Sequence, residues 1–148
     1  EISACLVGSE MCIRDRSIAD RTELDEVRKI LDIAIVEKAV ARRTEKDIER
    51  MQSSLEARKA NAENGLLKEC IEADLNFHIA IADATHNRIL ADIYRSASLH
   101  LLSEFNRIYD GTACFVNSQL SHEKLLRYII AGDLKNALKI ATRIVEEP

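Results

Sequence analysis

Only one proline and four glycines interrupt the 148 residues of this chain. These are the two residue types that stop helices most effectively, proline by removing a donor and glycine by its backbone entropy. A chain so poor in them favours long helices with few corners. No stretch shows the period-two alternation of Val, Ile and Thr that marks a strand. Hydrophobic residues at 47% and charged residues at 31% supply a core and a solvated exterior, in a length that suits one domain. The fold expected is all-α.

The apolar spacing divides the chain into about six helices. Thr22 is placed to cap the first, with Leu24, Val27, Leu31, Ala34 and Ile35 along one side as far as Ala39. Thr44 followed by Asp47 resembles a capping box opening a second helix, whose apolar stripe is Ile48, Met51 and Leu55. The third runs from Leu66 or Leu67 to Ala84 and ends at Thr85-His86-Asn87. The fourth follows through Ile89, Ile93, Ala97, Leu101 and Phe105 to the turn signal Asp110-Gly111-Thr112. A fifth spans roughly 118–131, with Leu125, Leu126, Ile129 and Ile130 inward, and stops at Gly132. Asp133 caps the last, through Ala137, Ile140, Ala141 and Ile144. Short connections between helices imply an antiparallel bundle.

Residues 1–16 stand apart. They hold two of the four cysteines, join no clear amphipathic register and lack the layout of a signal peptide. The string resembles translated sequencing-adaptor read-through. The expected division is therefore a non-native leader over 1–16 and a helical domain over 17–148, with natural sequence continuing upstream. The leader is expected to pack poorly against the bundle.

A net charge of −4, with acidic and basic residues interspersed, argues against nucleic-acid binding by these residues themselves. No apolar run approaches a membrane span. The cysteines form no CxxC pair and no secreted disulfide framework, which fits a reducing, cytoplasmic setting.

Asp74 and His78 lie four residues apart, and so project from one face of the third helix. A carboxylate and an imidazole at that spacing can share one metal, although the same pair more often makes a simple hydrogen bond. His122, in the first turns of the fifth helix, is as weak a signal on its own. His100 reads as a core-edge histidine and His86 as a turn residue.

Taken in order, Glu26-Val-Arg-Lys-Ile-Leu-Asp32, Arg43-Thr44-Glu-Lys-Asp47, Asp74-Leu-Asn-Phe-His78, Asn87-Arg-Ile-Leu90, His122 and Ala131-Gly-Asp133 with Ala137 resemble the C-terminal domain of FadR-type regulators in the GntR family. The resemblance covers roughly residues 22–147. It implies a helical bundle that dimerises and holds a small effector, commonly an organic or sugar acid. It also implies DNA contact only through an upstream winged helix-turn-helix domain. Many such domains hold a divalent metal, here zinc or nickel, and the resemblance assigns Asp74, His78 and His122 as its ligands. The fourth ligand position is occupied by Ile144, which puts the metal in doubt. Arg28 and Asn87 match effector-lining positions, and a guanidinium suits a carboxylate because it offers a planar fork of donors. The function expected is sensing rather than catalysis. The alternatives are a metal-dependent hydrolase, in which such a site activates water, and a helical interaction module without a pocket.

Overall fold

In the computed structural model the backbone is described for residues 2–146 and the side chains for residues 21–146. Six helices follow one another: α1 (Ile2–Arg42), α2 (Glu45–Glu63), α3 (Leu67–Asp83), α4 (Arg88–Ile108), α5 (Ala113–Ala131) and α6 (Leu134–Glu146). The packing expected for the leader concerns side chains outside the described residues. Among the described residues there is no strand, and no helix is long and apolar enough to cross a membrane.

The corners show why the helices stop where they do. Thr44 and Asp47 close a reciprocal capping box at the start of α2. Asp47 Oδ2 accepts from Thr44 N at 2.8 Å, and Thr44 Oγ1 accepts from Asp47 N at 3.3 Å. The same Asp47 oxygen lies 2.8 Å from His86 Nε2, tying α2 to the α3–α4 turn. His86 adopts a left-handed φ of 51° there, and Asn87 caps α4 by accepting from Leu90 N at 3.1 Å. Gly132, with φ 71°, ends α5 in the left-handed conformation that glycine adopts without a Cβ penalty.

Several expectations are corrected. Thr22 lies inside α1 rather than capping it. Helix α5 begins at Ala113, earlier than the apolar spacing suggested. Phe115 extends its buried stripe one turn upstream of Gln119, His122, Leu126 and Ile129. Helix α4 is rotated from the expected face: Ala91, Tyr94, Ser98, Leu101 and Phe105 point inward, while Ile89 and Ile93 are exposed. Val27, Ile130 and His100 are exposed as well. The inward face of α4 was hidden because its polar members, Tyr94 and Ser98, have internal partners. Tyr94 Oη donates to Asp32 at 2.6 Å, and Ser98 Oγ donates to the Tyr94 carbonyl at 2.8 Å.

Helix α2 packs most extensively on α3 and also against α5, while α6 closes over α1 and α5. The interior holds two apolar clusters. The larger contains Ile35, Met51, Phe77, Tyr94, Leu125 and Ile144. The smaller contains Cys70, Ile71, Leu75, Leu101, Phe105 and Phe115. Buried polar side chains separate them.

Because Asp47 serves both the capping box and the His86 contact, Asp47→Ala is expected to destabilise the chain more than Thr44→Ala. Loss of the threonine cap should cost about 1 kcal/mol. Urea denaturation of the two variants checks the order, and equal costs would show that the His86 contact contributes nothing.

Candidate metal and effector site

The polar layer is built by one or two residues from each of α1 to α5. On α2 the inward stripe Met51, Leu55, Arg58, Ala62 places a guanidinium where spacing alone calls for an apolar side chain. Asp74 and His78 lie one turn apart on the buried face of α3, and Gln119 and His122 on that of α5. Helix α1 contributes Arg28 and Asp32, also one turn apart and both buried.

Two ion pairs organise these groups. Arg58 Nε donates to Asp74 Oδ1 at 2.6 Å. Its other nitrogens donate to the Phe115 carbonyl (2.8 Å), Gln119 Oε1 (2.7 Å) and Ser118 Oγ (2.8 Å). Its guanidinium also lies 5.3 Å from the centre of the Phe115 ring. Arg28 Nε sits 3.5 Å from Asp32 Oδ2, with its guanidinium over Phe105. The two pairs carry no net charge between them, which is what burial requires of ionised side chains.

The two histidines are held by their Nδ1 atoms. His122 Nδ1 is 2.9 Å from the Ser118 carbonyl, which can only accept, so the proton resides on Nδ1. His78 Nδ1 faces Asp32 Oδ1 at 3.6 Å. Both Nε2 atoms are buried without a hydrogen-bond partner. His122 Nε2 nonetheless faces Asp74 Oδ1 at 3.3 Å. Burial pushes the His122 imidazolium down despite the pull of Asp74, which favours the neutral ring. Burial alone would raise the Asp74 carboxyl. The Arg58 guanidinium, donating to its Oδ1, outweighs that and holds it well below the usual range. Burial opposes ionisation of Asp32 too, and His78, Arg28 and Tyr94 reverse it.

Two imidazoles and a carboxylate gathered in one buried place form an arrangement that a cation would satisfy. One donor atom each from Asp74, His78 and His122 falls within 4.8 Å of the others. The set suits a borderline divalent ion such as zinc or nickel. A carboxylate and a backbone carbonyl behind the two rings are the outer partners that fix a metal-ligating tautomer. Beside the cluster lies a cavity of about 30 Å³, bordered by Arg28, Asp74, His122, Tyr109, Phe115 and Ile144.

The structure thus brings together Asp74, His78 and His122, with Arg28 and Ile144 at the cavity wall. It does not bring Asn87 there. That residue is exposed at the start of α4, its side chain is engaged in the cap, and it lines a separate surface cleft. Sequence reasoning missed Arg58, Asp32, Tyr94 and Gln119. Only Arg58 carried a usable signal, a charged residue standing in an apolar stripe.

The chain matches the FCD-domain family over residues 23–147. It is 31% identical over 119 residues to the HTH-type transcriptional regulator LutR of Bacillus subtilis (strain 168), covering 77% of this chain and 53% of that protein. It is 32% identical over 75 residues to the Uxu operon transcriptional regulator of Escherichia coli (strain K12), covering 51% and 29%. The chain therefore spans about half or less of these relatives. Its fold resembles E. coli McbR/YncC, with a TM-score of 0.77 at 20% identity, covering 84% of this chain and 60% of that one. Streptococcus agalactiae GntR gives a TM-score of 0.74 at 16% identity, covering 87% and 58%. The bundle and the matched sequence agree: this chain belongs to the FCD-domain family, the C-terminal effector-binding domain of GntR-type transcription regulators.

Proposed function

We propose that residues 17–148 are the effector-sensing and dimerisation domain of a bacterial transcription regulator. They would bind a small organic or sugar acid with the help of a divalent metal, and contact DNA only through a separate winged helix-turn-helix domain. The supporting observation is the set of buried atoms without a hydrogen-bond partner in the polar layer: His78 Nε2, His122 Nε2, Arg28 Nε and Asp32 Oδ2. Asp74, His78 and His122 would hold zinc or nickel, and the ion would supply a Lewis-acidic anchor for an effector oxygen. Arg28, held to Asp32 by a long 3.5 Å contact, would turn its unused donor to the effector carboxylate. Ile144 borders the cavity as an apolar wall, leaving three protein ligands.

The cavity suggests how binding becomes a signal. At about 30 Å³ it has room for a water-sized occupant but not for a carboxylic acid. Entry of an acid requires the wall to part. Part of that wall is the edge-stacked series Phe105, Tyr109 and Phe115, with centroid separations of 5.4 and 5.1 Å, at the α4–α5 corner. A ligand favouring the parted arrangement shifts the population toward it.

The exposed apolar residues Val27 and Ile30 on α1 and Ile89 and Ile93 on α4 are the proposed homodimer surface. The two helices run antiparallel, with Arg28 against Phe105 and Asp32 against Tyr94. Burying such side chains against a second copy removes apolar area from water.

Three outcomes are expected. Thermal unfolding with a panel of small carboxylic and sugar acids in the presence of zinc should reveal acids that stabilise the chain without being consumed. Arg28→Gln should lose that response. No stabilising acid would favour a pocketless bundle, and turnover would favour a hydrolase. In titrations of metal-stripped protein, Ile144→His should tighten zinc or nickel binding roughly tenfold or more, since even outer-shell partners are worth that much. His78→Ala should abolish binding, and unchanged affinities would remove the metal from the proposal. Sedimentation at micromolar concentration should give twice the chain mass, and paired Ile30→Glu and Ile93→Glu substitutions should give a monomer. A monomeric parent chain would refute the assigned surface.

A further inference from the structure

The metal site proposed above already contains a cation belonging to the chain. Arg58 donates to Asp74 Oδ1, the same oxygen that faces His122 Nε2. The guanidinium is almost wholly buried, at 1% exposure. It is not a loose side chain that solvent could draw aside. Each of its three nitrogens has an acceptor, three of the four acceptor groups are on α5, and one face lies on the Phe115 ring. The position belongs to an inward stripe that is otherwise Met51, Leu55 and Ala62. A residue of that apolar kind would leave Asp74 with no positive partner from α2.

We propose that Arg58 acts as an intrinsic competitor for the metal, holding the Asp74 carboxylate so that this chain's affinity for a divalent ion is set by how readily Arg58 yields it. The inference rests on the metal reading of Asp74, His78 and His122. Its physical basis is charge. The buried groups Arg28, Arg58, Asp32 and Asp74 sum to zero, so a divalent ion would bring two uncompensated positive charges beside a fixed guanidinium. Like charges at such separations repel strongly where water is excluded. Removing the guanidinium reverses the situation: Asp74 becomes a buried carboxylate in need of a cation, and the metal is the one available.

Arg58 is therefore a residue that determines which cation the site prefers, and it can be distinguished from a merely structural arginine. The test uses the 148-residue chain and Arg58→Met, with zinc chloride as probe. Zinc affinity is read by competition with a chromophoric chelator, and stability by thermal unfolding with and without zinc. Arg58→Met should bind zinc about tenfold or more tightly than the parent chain, in the range of ordinary coupling between two sites. Without zinc its melting temperature should fall, because Asp74 is left unpaired, and zinc should restore it by a larger increment than it gives the parent. If the variant does not fold alone, recovery of the helical signal on adding zinc carries the same meaning. Addition of His78→Ala should cancel both effects. Equal or weaker zinc binding by Arg58→Met, or a melting temperature that zinc does not restore, overturns the proposal. If binding is equal in both proteins and lost with His78→Ala, Arg58's role alone falls. If neither protein shows binding that depends on His78, the metal reading falls with it.

Discussion

A buried charge must have a partner, and that requirement governs the middle of this bundle. Arg58 with Asp74 and Arg28 with Asp32 are four ionised side chains inside the core. Moving such groups out of water costs several kcal/mol each, and only good pairing offsets it. The neighbouring positions follow from that demand. Tyr94 serves Asp32, while Ser118, Gln119 and the Phe115 carbonyl serve Arg58. The side chains that serve the charges thereby also fix the register of α4 and α5 against α1 and α2.

The same layer explains the division of the core. Along α2, Met51 and Leu55 belong to one apolar cluster, Arg58 follows, and Ala62 belongs to the other. Helix α3 crosses in the opposite order, from Cys70 and Ile71 through Asp74 to Phe77 and Ala80. On α5, Phe115 precedes Gln119 and His122, and Leu125 and Ile129 follow. Helices so arranged cannot slide by a turn without burying a charge in hydrocarbon, which is the form of specificity that buried polar groups best supply.

How much of this was legible in the sequence depended on whether the signal was local. The Thr44–Asp47 box, the stop at Gly132 and the facing of Asp74 with His78 are set within one or two helical turns, and all could be read from spacing. The convergence of His122 on that pair depends on how α5 packs, and it came from family resemblance rather than periodicity. The inward face of α4 was misassigned because hydrophobicity chose Ile89 and Ile93, while Tyr94 and Ser98 point inward through partners that no local pattern reveals. Asn87 was assigned to the pocket by resemblance. Its position just before α4 also makes it a cap, since a side-chain oxygen there accepts from a free backbone N–H. Arg58 went unnoticed because charged residues are ordinarily assigned to the surface, a habit that fails when the charge has a buried partner.

Adjacent residues on one helix can face opposite worlds, and α4 does this at its centre. Tyr94 reaches inward to the Asp32 carboxylate, and Ile93 stands half in solvent beside it. The helix has 21 residues, a rod of about 30 Å at the usual rise, and both side chains are fixed to the same turn of it. A movement of Asp32 that carried Tyr94 and its helix with it would therefore also displace Ile93 at the outer wall of the molecule. One residue is all that separates a carboxylate in the interior from the exterior surface.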